Sequence, residues 1–274
     1  MEETLSCPGQ DRNIFEDLIR VLVQKKTSTR SPDQLALEIG EFFLGTPYVS
    51  GTLEAKKAEH LIVNLREFDC VAFIENIVAL VWFLKSEKKS FEMFLSFLQK
   101  IRYRKGRLKG YCSRLHYFSD WIHDNQGKGM VKDMTAEIGG RPLRKIINFM
   151  TTHPDLYPPL KNTVNLKRMK SIERTISKRS LSFIPKKALK RLEDRICDGD
   201  LVAITTNIEG LDIQHVGLAR RVKNRIHLLH ASRTEGKVIL SKNTLYRYLM
   251  QSRARSGILV ARMFENRQSG FEDS

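Results

Sequence analysis

Residues 70–84, running from Cys70 through Phe73, Ile77 and Val81 to Leu84, form the most apolar stretch of the chain. Interrupted by Glu75 and Asn76, the stretch is too short to span a hydrocarbon layer of about 30 Å. It is also longer than an ordinary strand, so it reads as a helix buried on nearly every side. Such a helix must be wrapped by the rest of the chain, and 274 residues are ample for one large domain or two small ones.

Other helices precede and follow it. Ile14, Leu18, Val21 and Leu22 recur with a helical period. Ser31-Pro32-Asp33-Gln34 is a helix start, with Ser31 as N-cap, Pro32 in the first turn and Gln34 closing a capping box. That helix runs through Ile39 and Phe42–Phe43 to Gly45, and Gly45-Thr46-Pro47-Tyr48 is a loop. Phe91–Ile101 and Leu115–Ile122 are further predicted helices. The C-terminal third changes period. Strands are expected over 200–204, 215–220, 225–230, 237–240 and 257–263, with a helix over 243–251. Helices first and strands after define an α+β class rather than alternating βαβ units. The expected layout is a helical N-terminal extension (1–30), one main domain (31–263) and a polar tail (264–274).

Lys and Arg number 47 against 31 Asp and Glu, a net charge of +16. That balance points toward acidic partners. It is local, however: residues 161–191 hold eleven Lys/Arg and one acid, so a net +10 of the +16 sits there. This segment is expected to be a solvated basic insertion. Only Phe183 interrupts the charges with an aromatic ring, so contact with an anionic polymer through phosphates is a more natural reading than base-specific nucleic-acid binding. The N-terminus lacks the basic start and apolar core of a secretory signal, leaving cytoplasmic residence, signal-independent export or a leader outside this chain. The four cysteines form no CxxC pair. A disulfide framework is not expected, and the spacing of Cys112, His116 and His123 fits no common zinc pattern.

Cys70 opens the apolar helix. A thiol at a helix N-terminus meets unpaired N–H groups and the positive end of the dipole, which favour the thiolate. The same position also fits a buried structural cysteine. The histidines bear on the choice, because a cysteine nucleophile needs a base and the base an orienting partner. His215 begins one strand and His230 ends the next. With a two- or three-residue hairpin at Lys223-Asn224, paired residues sum to about 445–447. His215 then faces a residue between His230 and Ser232. His230 and Ser232 share a face and His227 points away, so His230 is the expected neighbour of His215.

Asp69-Cys70, His215-Val216-Gly217-Leu218 and His230-Ala231-Ser232 resemble the Cys-His-His arrangement of NlpC-type papain-like cysteine peptidases, and Gly45-Thr46-Pro47-Tyr48 resembles their Gly-x-Pro-Tyr loop. Asn64–Asn76, Ser113–Ile122 and Gly210–Gly217 resemble more closely the N-acetylmuramoyl-L-alanine amidase-like branch. The resemblance implies a papain-like fold with the nucleophile at a helix N-terminus against an antiparallel sheet or barrel. It implies hydrolysis of an amide in peptidoglycan or muropeptides, most closely the N-acetylmuramoyl-L-alanine bond, without a metal or other cofactor. The alternatives are a γ-D-glutamyl endopeptidase, acyl transfer by the same thioester step, or a non-catalytic basic module. By resemblance Cys70 is the nucleophile, His215 the base and His230 its orienter, with Tyr48 and Asp69 beside the sulfur. Ser113, Arg114, His116, Tyr117 and Trp121 would form a substrate wall, Arg114 suiting a carboxylate with its fork. Asp212 and Ser232 complete the expected site.

Overall fold

The computed structural model describes residues 5–23, 30–54 and 58–263. The polar tail expected at 264–274 lies outside them, as do residues 1–4 and 24–29 of the expected N-terminal extension. In chain order the first elements are β1 (Leu5–Ser6), α1 (Gly9–Val23), α2 (Pro32–Phe42), β2 (Leu61–Ile62), α3 (Cys70–Lys85), α4 (Phe91–Arg102) and α5 (Phe118–Gly127). Next come β3 (Lys132–Asp133), α6 (Thr135–Ile138), β4 (Arg141–Leu143), α7 (Phe149–Thr152), α8 (Thr163–Ser177), β5 (Leu181–Pro185) and α9 (Leu189–Leu192). Strands β6 (Leu201–Thr206), β7 (Ile213–Val222), β8 (Arg225–Ser232) and β9 (Lys237–Thr244), then α10 (Leu245–Met250) and β10 (Arg255–Arg262), complete the α+β fold.

The capping box at Ser31 is formed, with the Ser31 N–H donating to Gln34 Oε1 at 3.2 Å. Helix α3 is buried from Ala72 to Leu84. The two polar residues within that buried span are both partnered: Asn76 Nδ2 donates to the Ala72 carbonyl, and Glu75 meets Arg102 of α4 at 2.7 Å. Helix α1 lies within the expected N-terminal extension. Phe15, Leu18 and Leu22 pack into the same core, and buried Asp11 accepts from the Leu65 N–H at 2.7 Å.

The main sheet is antiparallel, in the order β4-β5-β10-β6-β7-β8-β9, with β3 also on β10. Both of its faces are covered. Leu201, Ala203, Leu218 and Leu229 join the core built on α3, whereas Val202, Ile204, Ala219 and Leu228 join a second core with Leu245 and Leu249 of α10. Alternate residues along each strand thus enter alternate cores.

The basic segment departs from expectation. It is not a solvated insertion: it supplies α8 and the interior strand β5. Asn162 caps α8, and Met169, Glu173 and Ile176 are buried along one side. Their spacing is a helical stripe that the surrounding charges conceal. The helix expected over 115–122 begins only at Phe118, and a 3-10 turn, Tyr111–Ser113, precedes it.

Candidate active site

Cys70 is the first residue of α3, and Asp69 is its N-cap, accepting from the Ala72 N–H at 2.7 Å. The Asp69 carboxylate is therefore committed to the helix start beside the sulfur. The backbone N–H groups of Val216, Cys70 and Val71 face the thiol and favour its anion. Burial outweighs them, and the Asp69 charge adds to it, so the thiol is pushed up to about 12. The helix start therefore gives no ready-made thiolate: the N–H groups are present, but desolvation wins. Tyr48 lies in the same neighbourhood. Burial and the adjacent Cys70 and Asp69 raise its hydroxyl pKa.

The histidines meet as the hairpin arithmetic requires. Lys223 and Asn224 both have positive φ, 46° and 63°, and form a two-residue turn between Val222 and Arg225. The ladder runs from Val222↔Arg225 to Leu218↔Leu229. Continued in that register, His230 lies across from Gly217 and on the face of His215. His215 Nε2 and His230 Nδ1 are 2.6 Å apart, with the rings nearly perpendicular at 81°. Gly217 makes this diagonal approach possible, because a Cβ there would lie 2.9 Å from His230 Cβ and 3.0 Å from Leu228 Cδ2. Gly217→Ala is therefore expected to displace His230 and to lower turnover by about ten-fold or more while leaving the fold intact; steady-state kinetics beside a circular-dichroism melt checks it.

Burial lowers the pKa of both imidazoles. His215, near His230 and Arg255, falls to about 3, and His230, near Arg255, to about 4. At neutral pH the site holds a thiol and two neutral imidazoles. The 2.6 Å contact uses Nε2 of His215 and leaves Nδ1 for another partner.

Cys70 and His215 line one cleft of about 140 Å³, together with Val71, His116, Tyr117, Phe118, Met150, Tyr157 and residues 211–214 and 216. The register of β6 against β7 breaks between Ile204 and Thr205, at the start of β7 where this cleft opens. The expected wall is only partly there. His116 lines the cleft with its ring 4.3 Å from that of Tyr111, and its Nε2 is 2.9 Å from the Tyr111 carbonyl. Burial and Arg114 hold its pKa well below the usual value. Tyr117 lines the cleft while its hydroxyl donates to Glu173 of α8 at 2.8 Å. Asp212 does so too, its carboxylate accepting from the Ser119 and Ile213 N–H groups at 2.8 and 2.7 Å.

Four of the expected substrate-binding residues do not line this cleft. Arg114 is buried, and its guanidinium meets Glu54 at 2.9 Å and the Leu53 carbonyl at 2.9 Å. Its fork holds a loop rather than an open carboxylate site. Ser113 Oγ donates to the Gly110 carbonyl within its own turn. Trp121 is fully buried and stacks on Phe118 at 4.8 Å. Ser232 Oγ accepts from the Glu235 N–H in the turn after β8. Met150 and Tyr157 of the cleft gave no sequence signal, since both lie among single helical turns too short to show a period. Cys112 donates to the Asn165 carbonyl at 3.3 Å, and among the described residues no three His, Cys, Asp or Glu side chains gather as a metal site.

Residues 38–258 match the family model AmiA-like, described as N-acetylmuramoyl-L-alanine amidase-like. The chain belongs to this amidase-like family of cell-wall enzymes. Among solved structures it is similar to an N-acetylmuramoyl-L-alanine amidase from Bacteroides uniformis, with 39% identity and a TM-score of 0.81 over 85% of this chain and 99% of that one. It is also similar to a candidate xylanase from Bacteroides fragilis, at 40% identity and a TM-score of 0.78 over 82% and 99% of the two chains. A Legionella pneumophila protein shares the fold at 22% identity, with a TM-score of 0.70 over 91% and 94%. No protein of curated function matches the chain.

Proposed function

We propose that this chain is a cysteine-dependent amidase of the NlpC-type papain-like superfamily, and that it cleaves the amide between N-acetylmuramic acid and L-alanine in peptidoglycan fragments. The observation that carries the reading is the cleft in which a helix-start thiol and a histidine converge, that histidine being bonded at 2.6 Å to a second one. Cys70 attacks the amide carbonyl as its proton passes to Nδ1 of His215. His230 accepts from Nε2 of His215, which fixes the tautomer and steadies the imidazolium as it forms. The N–H groups at the start of α3 face the sulfur and suit a developing oxyanion. His215 then returns the proton to the leaving amine, and water hydrolyses the thioester. A neutral thiol and neutral imidazole at rest fit proton transfer coupled to attack, rather than a preformed ion pair. His116, Tyr117 and Asp212 remain as substrate contacts.

Glycoside hydrolysis is the less favoured chemistry. It calls for two opposed carboxyl groups, and Asp212 is the one acid among the residues lining this cleft, with two backbone N–H groups already on it. The deciding experiment incubates the protein with N-acetylmuramoyl-tripeptide and with the free tripeptide, and identifies products by mass. Release of the intact tripeptide is expected. Cleavage confined to the interior of the peptide would replace this reading with the γ-D-glutamyl endopeptidase.

A second proposal concerns α8. Lys167, Lys170, Arg174 and Lys178 are exposed along the side opposite Met169 and Ile176, and none forms an ion pair among the described residues. Over about 16 Å of helix this stripe suits an anionic polymer. Changing Lys167, Lys170 and Arg174 to Gln is expected to weaken retention on a polyphosphate resin by about 10²-fold, at about 1 kcal/mol per cation. Hydrolysis of a small soluble substrate should be unaltered, and salt-insensitive retention of both forms would dismiss the contact.

A further inference from the structure

A tyrosine and an arginine outside the proposed triad bear directly on the histidine pair. Tyr248 of α10 places its ring 5.7 Å from that of His230, edge to face at 74°, and 6.2 Å from that of His215. Arg255, the first residue of β10, sets its guanidinium 3.8 Å from the centroid of the same tyrosine ring and donates to the Tyr248 backbone carbonyl. One aromatic ring thus touches a fixed cation and both imidazoles. We propose that Tyr248 and Arg255 form a positioning unit, in which the ring walls in the His215–His230 pair and the cation stacked on that ring sets the charge that the pair faces. This rests on reading His215 as the base.

The chemistry favours these residue types. A guanidinium stays charged throughout the working range and stacks on an aromatic face, so it brings positive charge near the pair without titrating. The charges that act on His215 are those of His230 on β8 and Arg255 on β10, and Arg255 is the charge that acts on His230. Cys70 of α3 acts electrostatically on Tyr248, while Asp69 acts on Cys70 and Tyr48 rather than on the imidazoles. Among the described residues, no carboxylate therefore opposes the cation at the pair. Protonation of either ring would place a charge beside Arg255 in a desolvated site. Such protonation would also block the nitrogen that must accept the thiol proton. The tyrosine ring acts sterically. As a half-buried wall on α10 it limits rotation of both imidazoles, so the 2.6 Å contact persists.

The test compares Arg255→Met, Arg255→Lys and Tyr248→Leu in the full chain. Two readouts are used: histidine ring NMR titrations, and the pH profile of kcat/KM on N-acetylmuramoyl-tripeptide. Arg255→Met is expected to raise the His215–His230 titration by about one pH unit, and Arg255→Lys to restore most of that shift. Tyr248→Leu is expected to lower kcat by about ten-fold with little change in KM. Unmoved histidine titrations in Arg255→Met, in a protein whose melt matches the parent, would overturn the role of the cation. An unchanged kcat in Tyr248→Leu would overturn that of the wall. The NMR arm needs no turnover. Shifted titrations in a protein inactive on every muropeptide would refute the amidase reading and leave the electrostatic coupling standing.

Discussion

Cys70→Ala is expected to abolish amide hydrolysis, lowering kcat by at least about 10⁴-fold, with substrate binding and thermal stability close to those of the parent. The expectation follows from where the thiol sits. Cys70 opens α3 in the cleft shared with His215, and its sulfur faces three backbone N–H groups. Removing it deletes the attacking atom while leaving the cap made by Asp69 and the buried body of the helix intact. Cys70→Ser should be nearly as inactive, because a hydroxyl is a far poorer nucleophile in a site that already pushes a thiol up to about 12. His230→Ala should retain more activity than either, with losses of about 10² to 10⁴, since it acts through His215. The pH dependence has a definite sign. A pKa lowered to about 3 keeps His215 unprotonated, the form that can accept a proton, across neutral pH. As pH falls toward that value the ring takes up a proton and activity is lost. Rates of peptide release from pH 3 to 9 check both parts. Full turnover by Cys70→Ala would remove the mechanism.

The parts of this architecture that were legible in the sequence are those where one local signal fixes the geometry. Ser31-Pro32-Asp33-Gln34 encodes a helix start because cap, ring and box agree, and α2 begins there. The histidine contact follows from alternation plus a short hairpin: two residues at positive φ set the register, and the register sets the face. What escaped was tertiary. In 161–191 the charges dominate composition, yet Met169, Glu173 and Ile176 lie on one helical stripe and Phe183 and Ile184 enter opposite cores. A basic exterior does not prevent a segment from supplying an interior strand. Arg114 also looked available for substrate, because sequence does not reveal that Glu54, some sixty residues earlier, folds back onto it. Tyr248 and Arg255 carried no motif, and their relation to the histidines exists only once α10 and β10 have packed.

Glu75→Ala is expected to destabilise the protein by about 3–5 kcal/mol, which is about 10 °C in the melting temperature for a chain of this size. Glu75 lies inside the most apolar helix and is 1% exposed, as is Arg102 on α4. Their side chains meet at 2.7 Å, and Arg102 Nη1 also donates to the Ile62 carbonyl of β2 at 2.5 Å. The pair thus ties α3 to α4 and to the short β1–β2 sheet. Truncating the acid leaves a guanidinium buried without its counter-charge, and the penalty is the desolvation of that cation rather than the loss of one contact. A double replacement discriminates the cause. Glu75→Leu with Arg102→Met removes both charges at similar volume and should recover most of the loss, as expected when an uncompensated charge, not packing, is responsible. Calorimetric melts of the single and double variants measure this. A single variant within about 0.5 kcal/mol of the parent would mean that Arg102 finds another partner. Because Glu75 stands five residues after Cys70 on one rigid helix, the single variant should also lose amide turnover before it unfolds, as the start of α3 shifts against Val216. The double variant should regain both.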